Sequence, residues 1–175
     1  HPESFLVTSL CTLWFNLSNN RTLKKVGYYM LTQARVLLKK FYGYDDFRPG
    51  QDEIIASLLS GSDTVAIMPT GAGKSICFQI PALLFSGITL VISPLISLMK
   101  DQVDALGVQG IPATYINSTL SSATLSRRLY DISQNKYKLI YIAPERLSTE
   151  VFKNLFASLE ISMIAVDEAH CISEW

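Results

Sequence analysis

The sequence predicts an α/β fold built on a parallel, doubly wound sheet. Two observations carry that reading. Short, continuous apolar runs recur along the chain, as strands covered on both faces require. Between them lie helical stretches long enough to be crossovers, and that alternation is the signature of parallel strands joined by helices. With 175 residues, 49% of them apolar, the chain can bury one sizeable core.

The elements follow in order. Val36, Leu37, Leu38 and Phe41 form a helical stripe stopped by Gly43, and Ile54, Ile55, Leu58 and Leu59 form a second stopped by Gly61. The first strand is expected over Thr64–Met68, covered on both faces, with others at Ile88–Ile92, Ala113–Ile116, Leu139–Ala143 and Ile161–Val166. Ser93-Pro94 reads as a helix N-cap with proline in the first turn, and Gly107 as that helix's end. No internal repeat or low-complexity tract interrupts the pattern.

Charge and cysteine content narrow the classes. Fifteen basic residues balance fifteen acidic ones, so a nucleic-acid partner would have to use a local basic surface. Cys11, Cys77 and Cys171 stand far apart, which fits thiols in a reducing compartment better than disulfides or a zinc site. The run Phe5–Leu17 is too short and too polar for a membrane span, and His1-Pro2-Glu3-Ser4 lacks the basic leader of a secretory signal. Neither a membrane partner nor secretion is expected. Residues 1–29 are set apart as an N-terminal segment outside the domain, disordered or extraneous, with the N-terminal part of the domain occupying residues 30–175.

The chemistry begins where the first strand ends, at "MPTGAGKS" (Met68, Pro69, Thr70, Gly71, Ala72, Gly73, Lys74, Ser75). A turn that points successive backbone N–H groups at phosphate oxygens needs glycine's freedom, which Gly71 and Gly73 supply. Lys74 suits bridging the β- and γ-phosphates, Ser75 suits Mg²⁺, and the following helix directs its positive end at the anion. Met68 stands where the usual phosphate-loop pattern has its first glycine. At the other end of the chain, Asp167 and Glu168 follow an apolar strand, on the sheet edge where α/β folds bind ligands. Asp167 suits Mg²⁺ through water, and Glu168 suits orienting or deprotonating the water that attacks the γ-phosphate. His170 is a candidate relay to a second ligand. ATP and Mg²⁺ are the cofactors this set implies.

Together "MPTGAGKS" and "VDEAH" resemble the phosphate loop and acid box of superfamily 2 helicases. "FRPGQ" at 47–51, "QIPALL" at 79–84, "VISPLISLMKDQV" at 91–103, "YIAPERL" at 141–147 and "DEAHCISEW" at 167–175 narrow the likeness to the first, RecA-like P-loop NTPase motor domain of RecQ-family ATP-dependent DNA helicases. Ala72 replaces a commoner glycine and Glu174 a commoner glutamine. The resemblance implies that Gln51 reads the adenine edge, that Tyr44 stacks on the ring, and that Arg48 supports the pocket; Tyr44 as plain core is the alternative. It places Ser93, Lys100 and Asp101, with "APERL" beside them, along a track for single-stranded or forked DNA. It further implies 3′ to 5′ unwinding and a cytoplasmic (bacterial) or nuclear (eukaryotic) location.

The same resemblance makes the chain a truncated motor, lacking the rest of the first lobe and a second motor domain. Translocation needs two lobes closing on nucleotide, and a missing arginine finger is worth about 10³–10⁵ in rate where it has been examined. An ATP-binding fragment unable to unwind alone is the expectation. RNA-dependent ATPase of the same superfamily, a non-catalytic nucleotide-binding module, and a chain too incomplete to fold stably are the rival readings.

Overall fold

The computed structural model describes residues 2–9 and 20–169. Its elements run β1 (Pro2–Ser9), α1 (Asn20–Tyr42), α2 (Gln51–Leu59), β2 (Thr64–Pro69), α3 (Lys74–Leu84), β3 (Ile88–Ile92), α4 (Ile96–Val108), β4 (Ala113–Ile116), α5 (Ser122–Ser133), β5 (Leu139–Ile142), α6 (Pro144–Leu147), α7 (Glu150–Phe156) and β6 (Ile161–Val166). Six strands form one sheet in the order β2-β1-β6-β3-β5-β4. β3 lies parallel to β5 and β6, and β4 parallel to β5.

β1 was not foreseen. The N-terminal segment set apart in the sequence contributes a strand antiparallel to both β2 and β6, second from one edge of an otherwise parallel sheet. The division drawn at Met30 falls inside α1. β1 keeps β2 and β6 two strand spacings apart, about 10 Å between backbones. Leu6 is level with Val65 on one side and Val166 on the other, while β2 runs on to Pro69 opposite Pro2. The turn after Pro69 therefore has to fold back across the strand tips to reach residues that follow Val166.

Both faces of the central sheet are covered. Leu139 and Tyr141 of β5 point into a core with Leu38, Ile55, Phe78 and Met99, whereas Ile140 and Ile142 point into a second core with Ile116, Ile132 and Phe152. Alternation along the strand puts successive side chains on opposite faces. β2 departs from the expectation of double cover: Ala66 and Met68 are buried, but Val65 and Ile67 are 66% and 69% exposed. β2 lies at the edge of the sheet farthest from β4 and β5, and the second core gathers at that opposite end around α5 and α7.

Helix termini account for the remaining differences. In α1 the inward stripe is Ala34, Leu38 and the partly buried Phe41, while Val36 is 56% exposed. Gly43 ends that helix with φ 76°, its N–H donating to the Lys39 carbonyl at 3.1 Å. α4 starts two residues later than Pro94, with Leu95 as N-cap; Ser93 is buried, and its N–H donates to the Ile142 carbonyl at 3.1 Å. Nor does α4 stop at Gly107; it continues to Val108, and the left-handed residue is Gly110 at φ 77°. Among the described residues no helix is long and apolar enough to cross a membrane.

Candidate nucleotide site

β2 delivers the chain to its tip at Pro69, and the turn of residues 70–73 enters α3 at Lys74. Gly71 and Gly73 hold φ values of 79° and 82°, the left-handed region that glycine occupies without a Cβ penalty. Gly73 has a second constraint, since a Cβ there would lie 2.5 Å from Gln51 Nε2. Met68, in the position of the usual first glycine, turns its side chain into the core, where Cys77 Sγ lies 3.9 Å from its sulfur. Any contact Met68 makes with a nucleotide would have to come from its backbone.

The turn is held from outside by the segment ahead of α2. Arg48 Nη1 donates to the Gly71 carbonyl at 2.8 Å. Gln51, 2% exposed, donates from Nε2 to the carbonyls of Ala72 (3.1 Å) and Gly73 (3.0 Å) and accepts at Oε1 from the Arg48 N–H (2.9 Å). Those bonds hold the Ala72 and Gly73 carbonyls on the Gln51 side of the turn, while the Ala72 N–H donates to the Pro69 carbonyl at 3.1 Å within the turn itself. Gln51 is thus a clamp on the phosphate turn in this structure, with its amide committed to backbone groups and not to a base. Tyr44, at 50% exposure, is not core.

Across the sheet, β6 ends at Val166 and the two acids follow. The Asp167 N–H donates to the Ile92 carbonyl at 2.8 Å, continuing the β3–β6 ladder one residue beyond the strand. Asp167 Oδ1 then accepts from the Glu168 N–H at 3.1 Å, and Glu168 adopts φ 51°, a conformation that costs a non-glycine residue energy. That kink turns Glu168 toward the glycine turn. Lys74 Nζ lies 3.0 Å from Glu168 Oε1, and the two side chains retain only 11% and 10% of their exposure. Residues 94 positions apart therefore meet across the tip of β1.

A magnesium ion carried by a nucleotide usually draws on one or two protein oxygens and completes its shell with phosphate and water. The Ser75 hydroxyl, at the second position of α3, and the Asp167 carboxylate are donors of that kind. Cys77 takes no part: it is fully buried behind the turn, and burial pushes its thiol up to about 12. His170 and Cys171 lie outside the described residues.

The expected nucleic-acid track is more dispersed. Ser93 is buried at 2% exposure, whereas Lys100 and Asp101 are exposed on α4. Lys100 Nζ pairs with Asp104 at 3.1 Å, and that hydrogen bond raises its pKa. In α6, the buried Arg146 Nε has no hydrogen-bond partner among the described residues. Sequence reading missed Gln51's grip on the turn, because nothing in "FRPGQ" tells which partner an amide will choose.

Comparison with known proteins adds a family. A family model described as DEAD/DEAH box helicase matches residues 48–175. The ATP-dependent DNA helicase RecQ of Bacillus subtilis is 54% identical over 147 residues, covering 83% of this chain and 25% of that protein. The protein of the same name from Haemophilus influenzae is 48% identical over 142 residues, 81% of this chain and 23% of its own. A protein of Acanthamoeba polyphaga mimivirus, provisionally named an ATP-dependent RNA helicase, is 50% identical over 147 residues, 82% of this chain and 26% of its own. The chain spans about a quarter of the length of these relatives.

Proposed function

Because the chain belongs to the DEAD/DEAH box helicase family, we propose that it is the nucleotide-binding part of an ATP-dependent DNA helicase of RecQ type, acting 3′ to 5′ on single-stranded or forked DNA. The observation that supports this most is the 3.0 Å contact between Lys74 and Glu168, which brings glycine turn and acid pair to one place. ATP enters with its phosphates against the glycine turn and at the start of α3. Its γ-phosphate competes with Glu168 for the Lys74 ammonium, and the carboxylate so released can orient a water for attack. Ser75 and Asp167 would hold a Mg²⁺ ion, which would supply charge neutralisation at the phosphates. Tyr44 stacks on the adenine, and Arg48 and Gln51 keep the turn in shape.

Strand separation by closing lobes uses a second motor domain beside the nucleotide-binding one, and this chain spans about a quarter of its relatives' length. The working location is the bacterial cytoplasm or the eukaryotic nucleus. Titration with Mg·ATP tests the nucleotide reading: Lys74→Ala should abolish binding, whereas Glu168→Gln should bind and not hydrolyse. Equal behaviour of the two variants would favour a non-catalytic module. The mimivirus relative keeps RNA in play as a second substrate, and comparing oligothymidylate with oligouridylate binding decides between them.

A further inference from the structure

Gln79 is an amide in the middle of the apolar helix α3, flanked by Phe78 and Ile80 and 3% exposed. Its Oε1 accepts from Tyr42 Oη at 2.8 Å. Its Nε2 donates to Gln102 Oε1 at 3.0 Å and to Tyr141 Oη at 2.9 Å. Each partner belongs to a different element. Tyr42 is the last residue of α1, just ahead of the Tyr44–Gln51 segment; Gln102 follows Lys100 and Asp101 on α4; Tyr141 lies in β5, shortly before α6. Gln79 itself sits little more than one turn beyond Lys74 and Ser75 on the same helix.

Resting on the function proposed above, we propose that Gln79 is a positioning residue through which nucleotide at the glycine turn and single-stranded DNA along α4 and α6 influence each other's binding. Apolar side chains slide past one another at little cost, but a hydrogen bond weakens steeply when bent, and a buried donor left without an acceptor is penalised. Both Nε2 protons of Gln79 are engaged, so a shift of α3 toward bound phosphates has to be followed by α4 and β5. A network that merely stiffened the core would explain the burial equally well. It would not create linkage between two ligands, and that difference is measurable.

The test uses the whole chain, a fluorescent ATP analogue with Mg²⁺, and an oligothymidylate of about 15 nucleotides, long enough for a typical single-strand site. In the wild type the oligonucleotide should tighten nucleotide binding by at least about 5-fold, the lower end of usual allosteric coupling, and in Gln79→Leu and Tyr141→Phe the gain should fall below about 2-fold. Nucleotide affinity without DNA should stay within about 3-fold of wild type, because neither residue touches the turn. If Gln79→Leu does not fold, Tyr141→Phe decides alone, since it removes one hydroxyl and keeps the ring in the core. Variants that melt earlier yet retain wild-type coupling would overturn the proposal, leaving Gln79 as core support. So would a wild type that binds both ligands independently, an outcome that leaves the proposed function standing. Failure of the wild type to bind the oligonucleotide at all would instead sink the DNA reading and this inference with it.

Discussion

Replacing Lys74 with methionine keeps most of its volume and removes its charge, which leaves the Glu168 carboxylate in a site where it retains 10% of its exposure. Taking away one partner of a buried ion pair costs roughly 3–5 kcal/mol. Since both side chains keep about a tenth of their surface, the lower end, about 3 kcal/mol, is the appropriate figure. For a domain of this size that corresponds to a fall in Tm of about 6–12 °C. Glu168→Gln removes the other charge but keeps an acceptor, so its cost should be smaller, about 1–2 kcal/mol. The double variant contains neither charge and should be less destabilised than the two single costs together by at least about 1.5 kcal/mol. Urea unfolding of the four proteins, followed by circular dichroism, closes the cycle. Additivity within about 0.5 kcal/mol would mean that the two side chains do not interact, and the convergence of turn and acids would lose its support.

Three further outcomes follow from the geometry. Gly73→Ala should cost about 1–2 kcal/mol for the left-handed backbone and weaken Mg·ATP binding, because the new methyl displaces the Gln51 amide from the turn; unchanged affinity by calorimetry would refute the clamp. On β2, Met68→Ala should lower stability by about 2–4 kcal/mol while Ile67→Thr stays within about 0.5 kcal/mol, so equal effects in chemical denaturation would contradict the one-sided cover of that strand. Asp46 is held below its ordinary value of 3.8 chiefly by the hydrogen bond from Arg35. A lowered carboxylate pKa stabilises above the unfolded value and the benefit disappears as pH falls through the folded one; in an NMR titration Arg35→Gln should move the Asp46 midpoint upward.

Much of the site was legible because it is written locally. The glycine turn is specified by residues that must adopt positive φ, and Gly71 and Gly73 do so. A continuous apolar run such as Leu139–Ile142 has one comfortable home, a strand buried on both faces, and β5 occupies it. Errors arose where a local signal met a longer-range partner. Ser93-Pro94 has the composition of a helix start, yet Ser93 is drawn into a backbone bond with Ile142 and the helix begins at Ile96. Val36 fits the stripe by hydrophobicity but faces outward, because the packing partner of α1 selects Ala34 and Leu38.

By itself the sequence determined the alternation of strands and helices, the phosphate turn and the identity of the two acids, since backbone preference and apolar periodicity act over a few residues. Only the tertiary structure decided that Pro2–Ser9 enters the sheet between β2 and β6, that Gln51 grips the turn, and that Gln79 ties four elements together. Strand pairing and buried hydrogen bonds are choices among distant partners. Their energies depend on which groups are brought within about 3 Å once water has been excluded, and no window of local sequence contains that information.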